Sequence, residues 1–267
     1  MDKAGAPYID HVTRVANLVT TPDEKIVAAL HDVVEDTPMS IADLKQAGCP
    51  RRIWTAVDAL TRRGDEDYDA YIHRLAANGL AQRVKAADLF DNLNEERLSR
   101  LPSADATALR AKYARAVEIL GAGPQISAWR AARDLKDACF RAVMGDGDAM
   151  REVMSQAQAD ATFGCAVCAN TAARLVLAGD HLLSVGFVCD VWFCLSQTSA
   201  GEPGELANAL RARDLARLRA LNPDFVPFWC RRCDACYCRD HWGEKVPFHD
   251  STYGICRAGH LQQLDGN

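Results

Sequence analysis

Several features that would assign the chain to a special class of protein are missing from its sequence. Among its 267 residues, no apolar run reaches the roughly 18 residues that a membrane-spanning helix needs, and the start MDKAGAPYIDH has no signal-peptide core. The formal net charge of −5 creates no overall positive field for nucleic acid or anionic membrane. We therefore expect a soluble, cytoplasmic protein without membrane contact, whose ligand is a small phosphorylated molecule.

Cysteine is nearly absent from the first 160 residues. Only Cys49 and Cys139 precede residue 160, whereas nine of the eleven cysteines follow it. In a reducing cytoplasm, cysteines that cluster in pairs beside histidines indicate metal ligands rather than disulfides. Apolar residues make up 49% of the chain, which is enough for one medium domain and a smaller one.

The texture of the sequence changes along the chain. Residues 8–120 carry apolar residues at helical spacing, with cap signals at Thr21 and Ser40, whereas from about residue 161 short β-branched segments indicate strands. The fold class that follows is mainly α, with an all-helical domain followed by a smaller α+β, cysteine-rich, zinc-binding region. The predicted organisation is an all-helical domain (1–122), which the motifs described below identify as the phosphohydrolase domain, a helical linker (123–160), a small α+β region (161–225) and a zinc-binding module (226–267).

One segment of the helical domain places charge beside an apolar stripe. In DEKIVAALHDVVEDT, residues 23–37, four polar groups interrupt the apolar positions: His31, Asp32, Glu35 and Asp36. A continuous helix over 22–36 would put the first two one turn before the last two, on nearly the same side. An acidic group beside an apolar face costs several kcal/mol unless it is paired, hydrogen-bonded or bound to a metal.

Other predicted helices supply two further candidates, His11 in PYIDHVTRVA and Asp88 in RVKAADLFDNL. Two neutral imidazoles and two carboxylates suit Mn²⁺ or Fe²⁺, and the proposed ligands are His11, His31, Asp32 and Asp88. Such an ion polarises a phosphoryl oxygen and lowers the pKa of a bound water, which Glu35 or Asp36 can orient or deprotonate. The predicted chemistry is hydrolysis of a phosphoester or pyrophosphate.

Four separated motifs, GAPYIDHVTRVA, AALHDVVEDT, VDALTR and VKAADLFDNL, resemble the successive motifs of the HD hydrolase domain of RelA/SpoT alarmone enzymes and their small stand-alone relatives. The resemblance spans roughly residues 3–120. It implies an α-helical HD fold, a single Mn²⁺ on His11, His31, Asp32 and Asp88, and Glu35 with Asp36 as the catalytic pair. It further implies that Asn92 touches the nucleotide ribose, and that the reaction removes the 3′-pyrophosphate of guanosine tetra- or pentaphosphate, (p)ppGpp.

The chain departs from the family pattern near its start. The family's basic pair corresponds here to Asp2 and Lys3, of which Lys3 is the candidate substrate contact, and Val12 replaces the proline after the motif histidine. The substrate class is therefore a nucleotide pyrophosphate or phosphoester, with (p)ppGpp as one member. The alternative is a non-catalytic nucleotide sensor or adaptor with a degenerate HD pocket. The spare acidic pair Glu35 and Asp36 favours the enzyme, because a sensor has no need of it.

The carboxy-terminal segment FWCRRCDACYCRDHWGEKVPFHDSTYGICRAGH, residues 228–260, has ligand spacings typical of zinc sites. They predict one or two Zn²⁺ ions. The preferred partition gives one site Cys230, Cys233, Cys256 and His260, and the other Cys238, His241, His249 and either Cys236 or Asp250. By spacing alone, the segment is loosely similar to treble-clef or AN1-like fingers.

So short a segment needs metal to fold, and a closed four-ligand site favours docking of a protein or nucleic-acid partner, or regulation, over a second catalytic centre. The pair Cys165 and Cys168 in CAVC leaves three alternatives. It is a knuckle completed by Cys189 and Cys194, half of a zinc ribbon with Cys230 and Cys233, or two buried thiols at a strand turn. A redox role is weaker, because no thioredoxin-like βαβ pattern surrounds the pair.

Overall fold

The computed structural model describes residues 7–185, 203–243, 245–248 and 251–264. The chain divides into two compact units, residues 1–131 and 132–267. The candidate site residues Lys3 and His249 lie outside the described residues, as do Cys189, Cys194 and Asp250. Within the described part of the chain, no helix is both long and apolar enough to cross a membrane.

The first unit is built from helices joined by short loops. They are α1 (Tyr8–Leu18), α2 (Pro22–Leu30), α3 (Val33–Asp36), α4 (Ile41–Gln46), α5 (Arg51–Leu60), α6 (Tyr68–Ala76), α7 (Gly79–Asn92), α8 (Glu95–Leu98), α9 (Ser103–Leu120) and the first part of α10 (Gly123–Val143). The predicted caps are confirmed: Thr21 with Glu24, and Ser40 with Asp43, form capping boxes that start α2 and α4. Buried Glu24 also binds Arg83 of α7, so one carboxylate both caps a helix and ties it to another.

Residues 22–36 do not form the single helix that the apolar spacing predicts. Helix α2 ends at Leu30, and Asp32 has φ −109° and ψ 4°, outside the helical region, before the four-residue α3 begins. The Asp32 carboxylate instead accepts a hydrogen bond from the Tyr8 hydroxyl of α1. The Asp36 backbone N–H still donates to the Asp32 carbonyl oxygen at 2.9 Å, so Asp32 and Asp36 lie one turn apart across the break.

Helix α7 is central to the first unit because it faces two apolar clusters. Val84 packs with α1, α2 and α5, whereas Leu89 packs with α6 and α9. Ile126 and Trp129, from the start of α10, also pack in the second cluster. The unit consequently extends to residue 131, beyond the sequence-based boundary near 122.

The second unit is the α+β, cysteine-rich part of a mainly α chain. After the rest of α10 come α11 (Gly147–Ser155), β1 (Ala157–Gly164), β2 (Thr171–Ala178), β3 (His181–Val185), α12 (Pro203–Arg211), α13 (Leu215–Leu221), β4 (Trp229–Cys230), β5 (Ala235–Cys236), β6 (Lys245–Phe248), β7 (Ser251–Ile255) and β8 (Leu261–Gln263). The strands form three antiparallel sheets, ordered β1-β2-β3, β4-β5 and β6-β7-β8.

Strand β2 is buried on both faces, as expected from the two-residue alternation of side chains. Val176 faces α10 and α11, whereas Leu175 faces α12 and α13 together with Phe228. The Phe163 and Phe228 ring centroids are 5.2 Å apart in that second cluster. The regions separated in the sequence as 123–160, 161–225 and 226–267 therefore share continuous packing, because both sheet faces need a cover.

Candidate metal sites and substrate pocket

His11 of α1 is held by a buried carboxylate that sequence reasoning missed. Its Nδ1 lies 2.7 Å from Asp91 Oδ2, and Asp91 Oδ1 accepts a hydrogen bond of 2.6 Å from Arg14 Nε. The opposite ring nitrogen, Nε2, lies 3.3 Å from Asp88 Oδ1. A histidine oriented through one nitrogen by a carboxylate is the usual arrangement of a metal ligand. The available signal was the spacing of Asp88 and Asp91 on α7, since i and i+3 share one helix face.

His31 is buried, and its position fits a metal ligand. Its Nδ1 lies 2.7 Å from the Ala28 carbonyl oxygen, which places a proton on Nδ1 and turns Nε2 inward. Nε2 lies 3.0 Å from Asp32 Oδ2 and 4.0 Å from Asp88 Oδ1, yet it makes no hydrogen bond. A buried nitrogen without a hydrogen bond, facing two carboxylates, has the chemistry of a donor to a divalent ion.

The fold thus brings together the four candidate manganese residues. Ligand atoms of His11, His31 and Asp32 all lie within 4.8 Å of one another. Asp88 borders this group, and its two oxygens are also engaged: Lys85 Nζ lies 2.7 Å from Oδ2, and Asn92 Nδ2 lies 2.5 Å from Oδ1. The His/Asp group can therefore bind a metal, with Asp88 as the most constrained member.

Electrostatics keep the acids of this group ionised. Burial raises the pKa of Asp88, but Lys85 and the two histidines outweigh it and hold that pKa well below its usual range. Burial likewise opposes ionisation of Asp32, whose pKa is nevertheless lowered by His31. Although burial lowers the pKa of His11, its hydrogen bonds to Asp88 and Asp91 raise it to about 9. Burial also lowers the pKa of His31, but Asp32 and Asp88 outweigh it and raise that pKa, so a metal that binds here must displace a proton from each histidine.

The group opens into a cavity of about 750 Å³, within the range of small-molecule sites. Glu35 and Asp36 line its mouth, and Glu35 Oε1 accepts a hydrogen bond of 2.6 Å from the Arg62 backbone N–H. The rest of the lining includes a basic and aromatic set: Arg62, Lys85, Arg97, Lys112, Tyr68, Tyr71 and Tyr113. Positive charge in the same cavity as a metal-compatible group suits an anionic, phosphorylated ligand.

Asn92 also lines the cavity, but its amide is occupied. It donates to Asp88, and its oxygen accepts a hydrogen bond from Arg97. Sequence reasoning missed this Arg97 partner, and it missed Lys85, Lys112 and Tyr8 as cavity residues. Their signal is weak, because isolated lysines and tyrosines on helices are usually ordinary surface or core groups.

Two Cys₃His clusters lie in the second unit, each compatible with zinc. We call the first the Cys230 cluster, which contains Cys230, Cys233, Cys256 and His260. In it, Cys233 Sγ lies 3.5 Å from Cys256 Sγ and 3.3 Å from His260 Nδ1, and Cys256 Sγ lies 3.5 Å from the same nitrogen. Tetrahedral Zn²⁺ with its normal bond lengths separates two sulfurs by about 3.8 Å and a sulfur and a nitrogen by about 3.6 Å. These residues match the sequence-based partition.

The second group, the Cys238 cluster, contains Cys165, Cys168, Cys238 and His241. Cys168 Sγ lies 3.7 Å from Cys238 Sγ, and His241 Nδ1 lies 3.5 Å from Cys165 Sγ and 3.1 Å from Cys238 Sγ. The spacings again approach those of a tetrahedral site. Two of the alternatives for CAVC, the ribbon of Cys165 and Cys168 with Cys230 and Cys233 and the pair of buried thiols at a strand turn, do not describe this geometry.

Cys236 belongs to neither cluster, contrary to one option in the sequence-based partition. Its backbone carbonyl accepts a hydrogen bond of 2.9 Å from Ala166 N–H, which fastens the CAVC turn to β5. Burial raises the pKa of the Cys236 thiol to about 11, so it stays protonated. By contrast, backbone hydrogen bonds overcome the effect of burial at Cys165 and lower its pKa to about 6, which favours the thiolate that zinc requires.

Two comparisons with known proteins each cover less than half of the chain. Residues 155–266 match a family model described as a domain of unknown function, DUF8328. The chain is also similar to a solved structure described as "A metazoan ortholog of SpoT hydrolyzes ppGpp and plays a role in starvation responses". That similarity has 25% sequence identity, a TM-score of 0.39, and coverage of 45% of this chain and 74% of the other.

Proposed function

We propose that the protein is a metal-dependent phosphohydrolase that acts on a nucleotide pyrophosphate or phosphoester. The supporting observation is that one cavity joins a His/Asp group suited to a divalent ion with a basic and aromatic set of side chains. The ligands in this proposal are His11, His31, Asp32 and Asp88, with Mn²⁺ or Fe²⁺ as the ion. When bound, the ion polarises a phosphoryl oxygen and lowers the pKa of water.

The protein groups around the proposed ion have distinct tasks. Asp91 and the Ala28 carbonyl hold the outer nitrogens of His11 and His31, so both Nε2 atoms point inward without reorganisation. Lys112 Nζ lies 4.0 Å from the centre of the Tyr68 ring, and both residues line the cavity. In the proposal, the Lys112 ammonium group binds the substrate phosphates. Glu35 and Asp36 are the proposed catalytic pair that orients water and takes up its proton.

The finer assignment within this class is the 3′-pyrophosphate of (p)ppGpp, with Asn92 and Lys3 as substrate contacts. The cavity has room for a nucleotide, and its tyrosines offer faces on which a base can stack. In this assignment Asn92 releases Arg97 or Asp88 to reach the ribose.

The direct test is hydrolysis by the purified, Mn²⁺-loaded chain of guanosine tetraphosphate and a nucleotide panel. Asp32→Ala should abolish turnover and Mn²⁺ binding together, whereas Asp10→Ala, an exposed carboxylate beside His11, should change neither. Turnover that survives in Asp32→Ala would remove the metal assignment. Loss of turnover or Mn²⁺ binding in the Asp10→Ala control would show that any change of charge near His11 is harmful.

A second candidate is a non-catalytic nucleotide sensor. It is favoured by the saturation of the acidic ligands, since Asp32 accepts from Tyr8 and Asp88 from Lys85 and Asn92. Tight nucleotide binding without turnover under any divalent ion would support the sensor over the enzyme.

For the second unit, we propose one structural Zn²⁺ in each Cys₃His cluster. Four protein ligands leave no open position, so the zinc-bound unit serves docking of a protein or nucleic-acid partner, or regulation, rather than chemistry. Elemental analysis of the purified chain tests this proposal, because it expects two zinc ions per chain in addition to the ion of the first unit.

A further inference from the structure

Three arginines in the second unit surround one small cavity beside the Cys230 cluster. The cavity, of about 180 Å³, is lined by Arg219, Arg231, Arg232 and Gln262, with Cys230 and His260 in its wall. Arg219 comes from α13, the two adjacent arginines from the turn inside C-x2-C, and Gln262 from β8. Residues distant in sequence thus converge on one space.

The turn that carries two of these arginines is held in place by the cluster. The backbone N–H groups of Arg232 and Cys233 hydrogen-bond to the Cys230 thiol, and Cys233 N–H also donates to the Cys230 carbonyl at 3.2 Å. Gln262 is anchored as well, since its Nε2 donates to the Trp229 carbonyl at 2.8 Å. The backbone that carries Arg231 and Arg232 is therefore preorganised, so ligand binding has to order only the arginine side chains.

Among the residues that the structure describes, nearby acids do not balance the positive charge at this cavity. No residue in the described ranges forms an ion pair with Arg219, Arg231 or Arg232. The acid closest in sequence, Asp234, accepts a hydrogen bond of 3.2 Å from Trp229 Nε1 and does not line the cavity. Zn²⁺ with three thiolates and a neutral imidazole contributes a single negative charge, which neutralises only one of the three guanidinium groups.

We propose that this cavity, which we call the arginine pocket, binds a phosphate group. Guanidinium groups bind phosphate oxygens bidentately, and the volume suits one phosphate or a pyrophosphate rather than a whole nucleotide. The lining contains no Phe, Tyr or Trp on which a base could stack, and its one aromatic ring belongs to His260 of the Cys230 cluster. The pocket therefore recognises the phosphate group itself, whether that group belongs to a small phosphate ester or to a nucleic-acid backbone. This inference is independent of hydrolysis in the first unit.

The probe is inorganic pyrophosphate, titrated by calorimetry into the zinc-loaded full chain without manganese. We expect Arg219→Ala and Arg231→Ala each to weaken binding by roughly tenfold, because each removes a charge-assisted bidentate contact. Arg257→Ala is the matched control, since this exposed arginine lies in the other turn of the same zinc cluster but does not line the pocket. Zinc content should stay unchanged in all three variants, which separates lost binding from lost folding.

A further variant and two further ligands make every outcome decisive. If the arginine substitutions leave pyrophosphate binding unchanged and Lys112→Ala weakens it, pyrophosphate binds in the cavity of the first unit. That result overturns the proposal. Absence of binding overturns it too, as does equal binding of sulfate, which indicates general attraction of anions. If a single-stranded oligonucleotide binds more tightly than pyrophosphate and depends on the same arginines, the bound phosphate belongs to a nucleic-acid backbone. If the oligonucleotide binds more weakly than pyrophosphate, the bound phosphate belongs to a small phosphate ester.

Discussion

Replacing Cys168 by Ser should remove one of the two proposed zinc ions from the second unit, whereas replacing Cys236 by Ser should remove neither. Burial alone predicts the opposite ranking of damage, since Cys168 is exposed and Cys236 is buried. The reason is cluster membership: Cys168 Sγ lies 3.7 Å from Cys238 Sγ in a Cys₃His group, and Cys236 joins no such group. The pair therefore tests the ligand partition with two chemically identical substitutions.

The size of the effect follows from the loops that the metals close. Cys168 and Cys238 are 70 positions apart, and Cys233 and Cys256 are 23 apart. If a metal bridge constrains the unfolded chain as a disulfide does, these loops contribute about 4 and about 3 kcal/mol respectively. Losing the first should lower the melting temperature of the second unit by more than about 10 °C.

The order of the ligand pairs along the chain adds a second consequence. The pairs alternate between the clusters: 165/168 and 238/241 belong to one, and 230/233 and 256/260 to the other. The loop closed by each metal therefore contains one ligand pair of the other cluster. When one metal is lost, that ligand pair becomes more mobile and the other cluster is less well ordered. We expect Cys168→Ser to lose one zinc fully and to bind the second more weakly.

The assay is zinc per chain by elemental analysis after gel filtration, together with thermal melting. Cys236→Ser should keep two zinc ions, with only the smaller loss of stability that a buried hydroxyl causes. If Cys168→Ser retains two zinc ions, or if Cys236→Ser retains one, the ligand partition is refuted. The partition based on sequence spacing, with Cys236 as a ligand, would then be restored.

Three further predictions concern the first unit. Asp91→Asn should weaken Mn²⁺ binding by roughly 10- to 100-fold, measured by calorimetry at high pH, because the support of His11 is lost; an unchanged affinity would exclude that role. Since the pKa of metal-free His11 is about 9 and that of His31 is also raised, apparent Mn²⁺ affinity should rise at least about tenfold per pH unit from neutrality towards pH 9, and a flat profile would contradict it. Glu24, whose pKa is lowered to about 2 because hydrogen bonds from Thr20, Thr21 and Arg83 outweigh burial, should stabilise the fold by about 3 kcal/mol above pH 4.5. The loss in Glu24→Gln, measured by urea unfolding, should therefore be full at neutral pH and shrink as pH falls towards 2; a difference independent of pH would refute the assignment.

Local sequence signals predicted much of the first unit. Apolar spacing and cap residues such as Thr21 and Ser40 act within a few positions, so the helices and their starts could be inferred without knowing the fold. The contact between Asp32 and the Tyr8 hydroxyl could not be inferred in this way, because Tyr8 lies 24 positions away on another helix. Asp91 was missed for the same reason, since its partners His11 and Arg14 are about 80 positions away.

By itself, the sequence determined which side chains were available for metal chemistry: the histidines and acids of the first part, and the cysteine pairs of the second. Residue type and short spacing are sufficient for that, because they decide donor chemistry and which ligands can form a pair. Only the tertiary structure decided which pairs meet. Cys165 and Cys168 join Cys238 and His241 across about 70 residues because the β1–β2 turn is fastened to β5 through Ala166 and Cys236, a contact that no local pattern encodes.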